Sequence, residues 1–126
     1  MTLKKAMARF DTLYPNELPY EMKLVWISEL DGLVYEEIIS RHEGGLPTPF
    51  TGYIPATPGT TDLLVPFPYD KLYLEHMAAV LELVRGNTER YNNASALAAS
   101  TFDAFAAEYN RTHTPLQTDA IHFLKE

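Results

Sequence analysis

Residues 42–69, HEGGLPTPFTGYIPATPGTTDLLVPFPY, interrupt a chain whose remaining sequence has helical periodicity. This stretch holds four of the six glycines and six of the nine prolines of the 126-residue chain. A loop of such length is uncommon inside a small domain, where it is usually either functional or disordered. Its aromatic and aliphatic side chains are too apolar for a solvated linker. We therefore predict that residues 43–67 form an extended arm that packs against another surface.

Two helices are predicted before the arm. In residues 3–13, apolar side chains recur at i, i+3 and i+4, and Thr2 is a suitable N-cap. The second helix is predicted to begin near Pro19 and to end near Arg41. Gly32 lies in its middle, where glycine costs about 1 kcal/mol relative to alanine, so we expect a kink or the close approach of another backbone. The apolar stripe of this helix consists of Leu24, Ile27, Leu30, Val34 and Ile38.

Two more helices are predicted after the arm. The third begins at Pro68 or Tyr69 and ends before Gly86, which suits the left-handed position that follows many helices. The fourth runs from about Thr88 to Asn110 and is rich in alanine, so a neighbouring helix can approach it closely. Residues 112–126 are predicted to form an amphipathic tail that is flexible or docked on a partner.

These patterns predict an all-α fold, in which one domain of residues 1–126 contains a four-helix bundle-like arrangement with the arm between its second and third helices. Within the arm, the runs Phe50–Ile54 and Leu63–Val65 are compatible with a short β-hairpin. The side chains expected to be mostly buried are Trp26, Leu30, Leu72, Val80, Phe102 and Phe105.

The composition argues against several classes of protein. The formal net charge of −7 predicts a surface that repels phosphate, so tight nucleic-acid binding is not expected, although DNA could slide past such a surface. The chain has no cysteine, which excludes disulfides and thiolate metal sites. No apolar run approaches the roughly 20 residues that span a membrane, and the N-terminal sequence does not resemble a signal peptide.

The histidines do not indicate a metal site, because none forms an HExxH or HxH pair. One of them falls on the third helix and is expected to lie in the core or at an interface, while the others are expected on the surface. The four are His42, His76, His113 and His122.

Other signs of catalysis are also weak. Asp31, Glu36 and Glu37 are interpreted as solvated carboxylates on an exposed helix face rather than as acid–base groups. The sequence contains no GxSxG nucleophile motif and no glycine-rich phosphate loop. We therefore predict no catalytic residue, no metal ligand and no bound cofactor.

The chain contains eight tyrosines, several of which flank the third and fourth helices. Tyrosine combines a large apolar ring with a polar tip, which suits protein interfaces. The alternative is that these rings fill a small core with a wet rim. The residues predicted to form an interaction surface are Phe50, Tyr53, Ile54, Leu63, Leu64, Pro66, Tyr69, Tyr73, Tyr91, Asn92 and Tyr109.

Two blocks of the sequence resemble a known group of proteins. They are residues 14–39, YPNELPYEMKLVWISELDGLVYEEII, and residues 63–115, LLVPFPYDKLYLEHMAAVLELVRGNTERYNNASALAASTFDAFAAEYNRTHTP. Together they resemble a family of small prophage proteins of Gram-positive bacteria that are encoded among head and neck genes and look like head–tail connector (adaptor) proteins. The matching positions are Pro15-Asn16, Lys23, Trp26, Glu29-Leu30-Asp31-Gly32, Val65-Pro66, Pro68-Tyr69, Tyr91-Asn92, Phe102, Phe105 and Asn110-Arg111-Thr112.

The resemblance implies a structural, non-enzymatic role in the virion. Such an adaptor forms an oligomeric ring beneath the portal and passes DNA to the tail. The implied partners are other copies of the chain, the phage portal and tail-side proteins, with DNA passing through without sequence-specific binding and with no membrane. The implied location is the virion, and the host cytoplasm before assembly.

Two alternatives stay open. The first is another virion or packaging accessory protein from the same gene region. The second is a small ligand-binding helical protein or enzyme with a pocket under the arm. Self-association discriminates the connector from the small ligand-binding protein or enzyme, since a ring-forming protein should give large oligomers as its concentration rises, whereas a small enzyme should stay a monomer or dimer with a specific ligand.

Overall fold

The structure, a computed structural model, describes residues 1–116 of the chain and is helical. The described part has no β-strand, so the all-α prediction is confirmed. The helices are α1 (Leu3–Leu13), α2 (Tyr20–Glu37), α3 (Leu72–Val84) and α4 (Thr88–Thr112), with single 3₁₀ turns at Ile39–Arg41 and Tyr69–Lys71.

The start of α1 and the end of α3 are set by neighbouring residues, as predicted. The Thr2 side-chain oxygen accepts a hydrogen bond of 3.2 Å from the backbone N–H of Lys5, which caps α1. After α3, Gly86 takes a left-handed φ of 77° and donates its N–H to Leu83 O at 3.1 Å. The N–H of Asn87 reaches Glu82 O at 2.9 Å, which completes the hydrogen-bond pattern of a glycine-terminated helix.

The predicted bounds of the second and third helices were too wide. The α-helical part of α2 stops at Glu37, because Ile38 leaves helical geometry (φ −121°, ψ −66°) and a 3₁₀ turn follows it. At the start of α3, the residues after Pro68 also form a 3₁₀ turn, and the α-helix begins at Leu72.

Helix α3 is the centre of the fold, since it contacts α1, α2 and α4. Of the residues expected to be buried, four are buried, whereas Val80 and Phe102 are only half-buried. Leu13 and Leu97 are largely exposed, so apolar surface remains beside α4. The core is formed mainly by Leu3, Phe10, Ile27, Val34, Leu72, Tyr73, Met77, Leu81 and Phe105.

The predicted β-hairpin within the arm is wrong. The second run pairs with the N-terminus instead: Leu63 donates its N–H to Met1 O at 3.0 Å, and Leu3 donates to Thr61 O at 2.9 Å. Proline has no N–H to give to a ladder, and Pro55 and Pro58 occupy the link between the two runs. The segment 43–67 therefore packs on its own chain.

The described beginning of the predicted tail is also held by its own chain. Glu43 donates its backbone N–H to Thr114 O at 2.8 Å, and Leu116 donates to Arg41 O at 3.1 Å. These bonds flank an antiparallel bridge between His42 and Pro115. The rest of the predicted tail, residues 117–126, lies outside the described residues.

Candidate interaction surface

A buried carboxylate on α2 holds the 43–67 segment against the helices. Asp31 is completely buried, and its Oδ2 accepts hydrogen bonds from the Tyr53 hydroxyl at 2.5 Å and from Leu64 N–H at 3.2 Å. Its Oδ1 accepts from the hydroxyl of Tyr73 on α3 at 2.6 Å, and that hydroxyl accepts from Val65 N–H at 2.7 Å. We call these five residues the Asp31 cluster, which joins α2, α3 and the 43–67 segment.

The prediction that Asp31 is a solvated surface carboxylate was therefore wrong. Burial raises the pKa of Asp31, against the opposing effect of its hydrogen bonds from Tyr53, Tyr73 and Leu64. Burial and the neighbouring Asp31 carboxylate also raise the pKa of both tyrosine hydroxyls, which therefore act as hydrogen-bond donors at neutral pH. Both carboxylate oxygens of Asp31 have partners, so the cluster has a structural role.

A close contact of the backbone with α2 adds to this anchor. Ser28 Oγ accepts a hydrogen bond of 2.9 Å from the N–H of Tyr53. The preceding residue, Gly52, has φ 102°, and a Cβ at this position would lie 2.8 Å from Ser28 Oγ. Only glycine suits both the backbone conformation and the space.

A groove lined largely by aromatic side chains and prolines lies where the end of this segment meets the C-terminal part of α4. Its volume is 460 Å³, and Phe67 at its edge is 84% exposed. The Tyr69 and Phe105 rings lie 5.9 Å apart between centroids, and the Phe105 and Tyr109 rings lie 5.8 Å apart. We call this site the aromatic groove; its lining is Leu64, Pro66, Phe67, Pro68, Tyr69, Phe105, Glu108, Tyr109, Thr112 and His113.

Three rings support the α4 wall of the aromatic groove. His113 stacks on Tyr109 with centroids 3.6 Å apart, and His42 meets the same tyrosine edge-on at 5.0 Å. The ring Nδ1 of His42 lies 2.6 Å from Ile38 O. His42 is buried, so its predicted surface position was wrong, because the segment after α4 folds back over it.

The structure brings four of the eleven predicted interaction residues together in the aromatic groove: Leu64, Pro66, Tyr69 and Tyr109. Leu63 and Tyr73 are buried inside the chain, where they serve packing and the Asp31 cluster. The remaining five lie elsewhere. Phe50, Tyr53 and Ile54 lie in the part of the 43–67 segment anchored to α2, and Tyr91 and Asn92 lie near the start of α4.

A second open surface lies along α2, between Phe50–Gly52 on one side and α3 and α4 on the other. It consists of two adjoining depressions of 590 Å³ and 370 Å³ that share Leu33, which is 50% exposed. A Cβ on Gly32 would meet no other part of the chain within 4 Å, so the expected close approach to Gly32 does not occur within the described residues. We call this surface the acidic groove, since its lining includes Glu29, Glu36, Glu37 and Asp103.

The burial of Asp31 could have been predicted from its position in the sequence. Position 31 falls on the apolar stripe of α2, four residues after Ile27 and three before Val34, so its side chain must face the core. A charged residue on such a stripe needs partners, and here the partners come from distant parts of the chain.

Within residues 1–116, no three His, Asp or Glu side chains are arranged to hold a metal ion. None of the described helices combines the length and apolarity needed to cross a membrane. Comparisons of the chain with protein families, with curated proteins and with solved structures give no match.

Proposed function

We propose that this protein is a phage structural protein, a head–tail connector or adaptor whose four-helix, bundle-like subunits form a ring beneath the portal. The aromatic groove is the observation that carries the proposal. Five of the positions on which the sequence resemblance to the prophage family rests line it together: Pro66, Pro68, Tyr69, Phe105 and Thr112.

The groove has the character of a protein-binding site. Phe67 presents nearly its whole ring to solvent beside an open depression with several aromatic walls. Exposed aromatic rings next to a pocket are typical of the few residues that supply most of the energy of an interface. We assign the groove to contact with the portal or a tail-side protein.

The Asp31 cluster prepares this groove for binding. The N–H groups of Leu64 and Val65, at the start of one wall, are fixed by Asp31 and by the Tyr73 hydroxyl. A wall held in place before binding loses little conformational freedom when a partner arrives. The net charge of −7 is compatible with DNA passing the assembled ring without sticking.

The test uses a phage from which the gene is deleted and supplies the protein, with Phe67 replaced, from a plasmid in the host. Phe67→Ser supplied in trans should fold normally, because the ring contributes little to the core, and should give filled heads that lack tails. The matched control is Ile54→Ser, which removes another largely exposed apolar side chain outside the aromatic groove. Normal tailed particles with Phe67→Ser, or no effect of deleting the gene, would contradict the proposal.

One observation favours a second candidate, a small ligand-binding protein. The larger depression of the acidic groove lies between α2 and Phe50–Gly52, under the predicted arm. Its carboxylates, Glu29 and Glu36, would select a cationic ligand. A compound that binds a monomer one-to-one and raises its melting temperature, with loss of both effects in Glu29→Gln, would favour this candidate over the connector.

A further inference from the structure

We propose that copies of this chain associate head to tail, with the acidic groove of one copy receiving a basic and apolar face of the next. This contact extends the proposed function. Its closure into a ring rests on the connector role, whereas the contact itself does not. Each side of the contact is assigned to named residues.

The acidic groove has a one-sided charge. Four carboxylates line its two depressions, and among the described residues no lysine or arginine does. Apolar surface lies between them, since Leu33 is half-exposed and Phe102 is half-buried. An apolar floor with an acidic rim is complementary to an apolar surface flanked by cations.

The glycine at position 32 indicates that a neighbouring molecule approaches α2 closely. A glycine in the middle of a helix costs about 1 kcal/mol relative to alanine. The space beside Gly32 is open, so no contact within the described chain requires a residue without a side chain there. A neighbouring molecule lying over this position gives the missing reason, because its backbone could approach α2 closely.

A face with the complementary character lies on the other side of the molecule. A groove of 500 Å³ between the end of α1 and the α3–α4 turn is lined by Arg85 and Arg90. Leu13 and Leu97 in the same lining are 60% and 55% exposed. We call these four residues the basic face.

The charges of this face are available to a partner. The Arg85 guanidinium donates a hydrogen bond of 3.1 Å to Pro15 O, which orients it while leaving it exposed. Glu82 also lines the groove, but it is buried and accepts a hydrogen bond of 2.7 Å from Asn87 Nδ2. The accessible charge is therefore mainly positive.

The two surfaces lie on opposite flanks of α4. Leu97 belongs to the basic face and Ala99 to the acidic groove, and two residues along a helix correspond to a rotation of about 200°. Complementary surfaces on opposite sides of one subunit produce a heterologous contact, which gives rings when the rotation closes. Two copies that meet in this way leave one surface of each kind free for the next copy.

The experiment reverses the charges of each surface separately. Glu36→Lys/Glu37→Lys changes the acidic groove, and Arg85→Glu/Arg90→Glu changes the basic face. Each double variant alone should raise the dissociation constant of self-association by more than about 100-fold, since like charges then meet. Mixing the two variants should restore oligomers of alternating copies. Sedimentation velocity over a range of protein and salt concentrations measures both effects.

Two further variants keep the test decisive. Glu43→Lys/Asp62→Lys changes the net charge by the same amount as Glu36→Lys/Glu37→Lys, at exposed residues outside both surfaces, and should associate like the parent. Gly32→Gln retains all charges, places a flexible side chain over the acidic groove and favours the helix. It should melt at a higher temperature than the parent and still fail to associate.

The outcomes separate this proposal from the proposed function. A parent chain that stays monomeric at every concentration, a mixture that does not recover, or a Gly32→Gln variant that associates normally would overturn the head-to-tail contact. Assembly of tailed particles that still depends on Phe67 would then leave the connector role standing. Association as described, together with absence of the protein from particles, would overturn the connector role alone.

Discussion

The hydroxyl of Tyr73 on α3 donates a hydrogen bond of 2.6 Å to the buried carboxylate of Asp31 on α2. The same hydroxyl accepts the N–H of Val65 at 2.7 Å, so one side chain links two helices to the segment that precedes α3. Because Asp31 also accepts from the hydroxyl of Tyr53, both ends of the anchored part of the 43–67 segment depend on a single carboxylate.

Replacing this carboxylate should destabilise the whole fold. Asp31→Ala leaves the hydroxyls of Tyr53 and Tyr73 and the N–H of Leu64 without their acceptor, and buried donors without partners cost about 1–3 kcal/mol each. Partial relaxation should limit the total to about 2–4 kcal/mol. Urea unfolding followed by circular dichroism measures this loss. The control is Glu36→Ala, an exposed position on the same helix, and equal stability of the two variants would contradict the structural role of Asp31.

Removal of one donor should loosen the segment locally. In Tyr53→Phe, Asp31 keeps two of its three donors, so the free energy of unfolding should fall by only about 1–2 kcal/mol. Hydrogen exchange should become faster in residues 50–57, where Tyr53 N–H loses the support that holds it on Ser28. Exchange near Leu63 should change less, because that residue donates to Met1 O. Uniform acceleration over the whole chain would argue against this local anchoring.

Sequence signals were sufficient where structure depends on neighbours along the chain. Thr2 and Gly86 mark helix ends by hydrogen bonds that span only three to five residues, and both predictions were confirmed. The predicted end of α2 was wrong where a tertiary contact takes over: the α-helix stops at Glu37, and the carbonyl of Arg41 accepts the N–H of Leu116 from the segment after α4 at 3.1 Å.

The candidate site was harder to predict, because its parts are far apart in the sequence. Four residues of the aromatic groove were named from their apolar and aromatic character. The role of Asp31 was missed, since a carboxylate between Leu30 and Gly32 looks solvated until Tyr53 and Tyr73 are brought to it. The hairpin prediction failed for a related reason: pairing depends on which backbone is near, and here that backbone is the N-terminus.

Adding a methyl group at position 32 should stabilise the monomer. Alanine favours a helix interior over glycine by about 1 kcal/mol, and no other part of the described chain, residues 1–116, lies within 4 Å of the added Cβ. For Gly32→Ala we expect a melting temperature higher by about 3–5 °C. Gly52→Ala is the opposite case, since φ is 102° and the Cβ would clash with Ser28, so it should lower the melting temperature. A lower melting temperature for Gly32→Ala would show that position 32 is crowded or strained.

Two phenylalanines on α4 should differ in their contribution to stability. Phe105 is 3% exposed and belongs to the core, so Phe105→Ala should cost about 3–5 kcal/mol. Phe102 was expected to cost as much if fully buried, but it is half-buried along the acidic groove, and Phe102→Ala should cost about 1–3 kcal/mol. Chemical denaturation of the two variants under the same conditions makes the comparison. A greater loss for Phe102→Ala would contradict the packing described for α4.

The contribution of His76 to the stability of the fold should be lost in mildly acidic solution. Burial lowers the pKa of His76 below 6.5, against the opposing effects of the Glu29 carboxylate and the backbone of Trp26. Its ring Nε2 is buried and has no hydrogen-bond partner among residues 1–116, so a proton added there would lack an acceptor in this part of the chain.

The lowered pKa of His76 determines how the free energy of unfolding depends on pH. A histidine with a lower pKa in the folded state binds more protons when unfolded, so its contribution to stability is complete above the unfolded pKa and is lost as pH falls through that value towards the folded pKa. Relative to His76→Gln, urea unfolding of the parent should therefore show an additional loss of free energy of unfolding as pH falls below the ordinary histidine pKa of about 6.5. His76→Gln removes the titrating group and should show a smaller fall over the same range. His113→Gln, at the C-terminal end of α4, should retain the part of the fall that belongs to His76. Parallel pH profiles for the parent and His76→Gln would show that protonation of His76 is not coupled to folding.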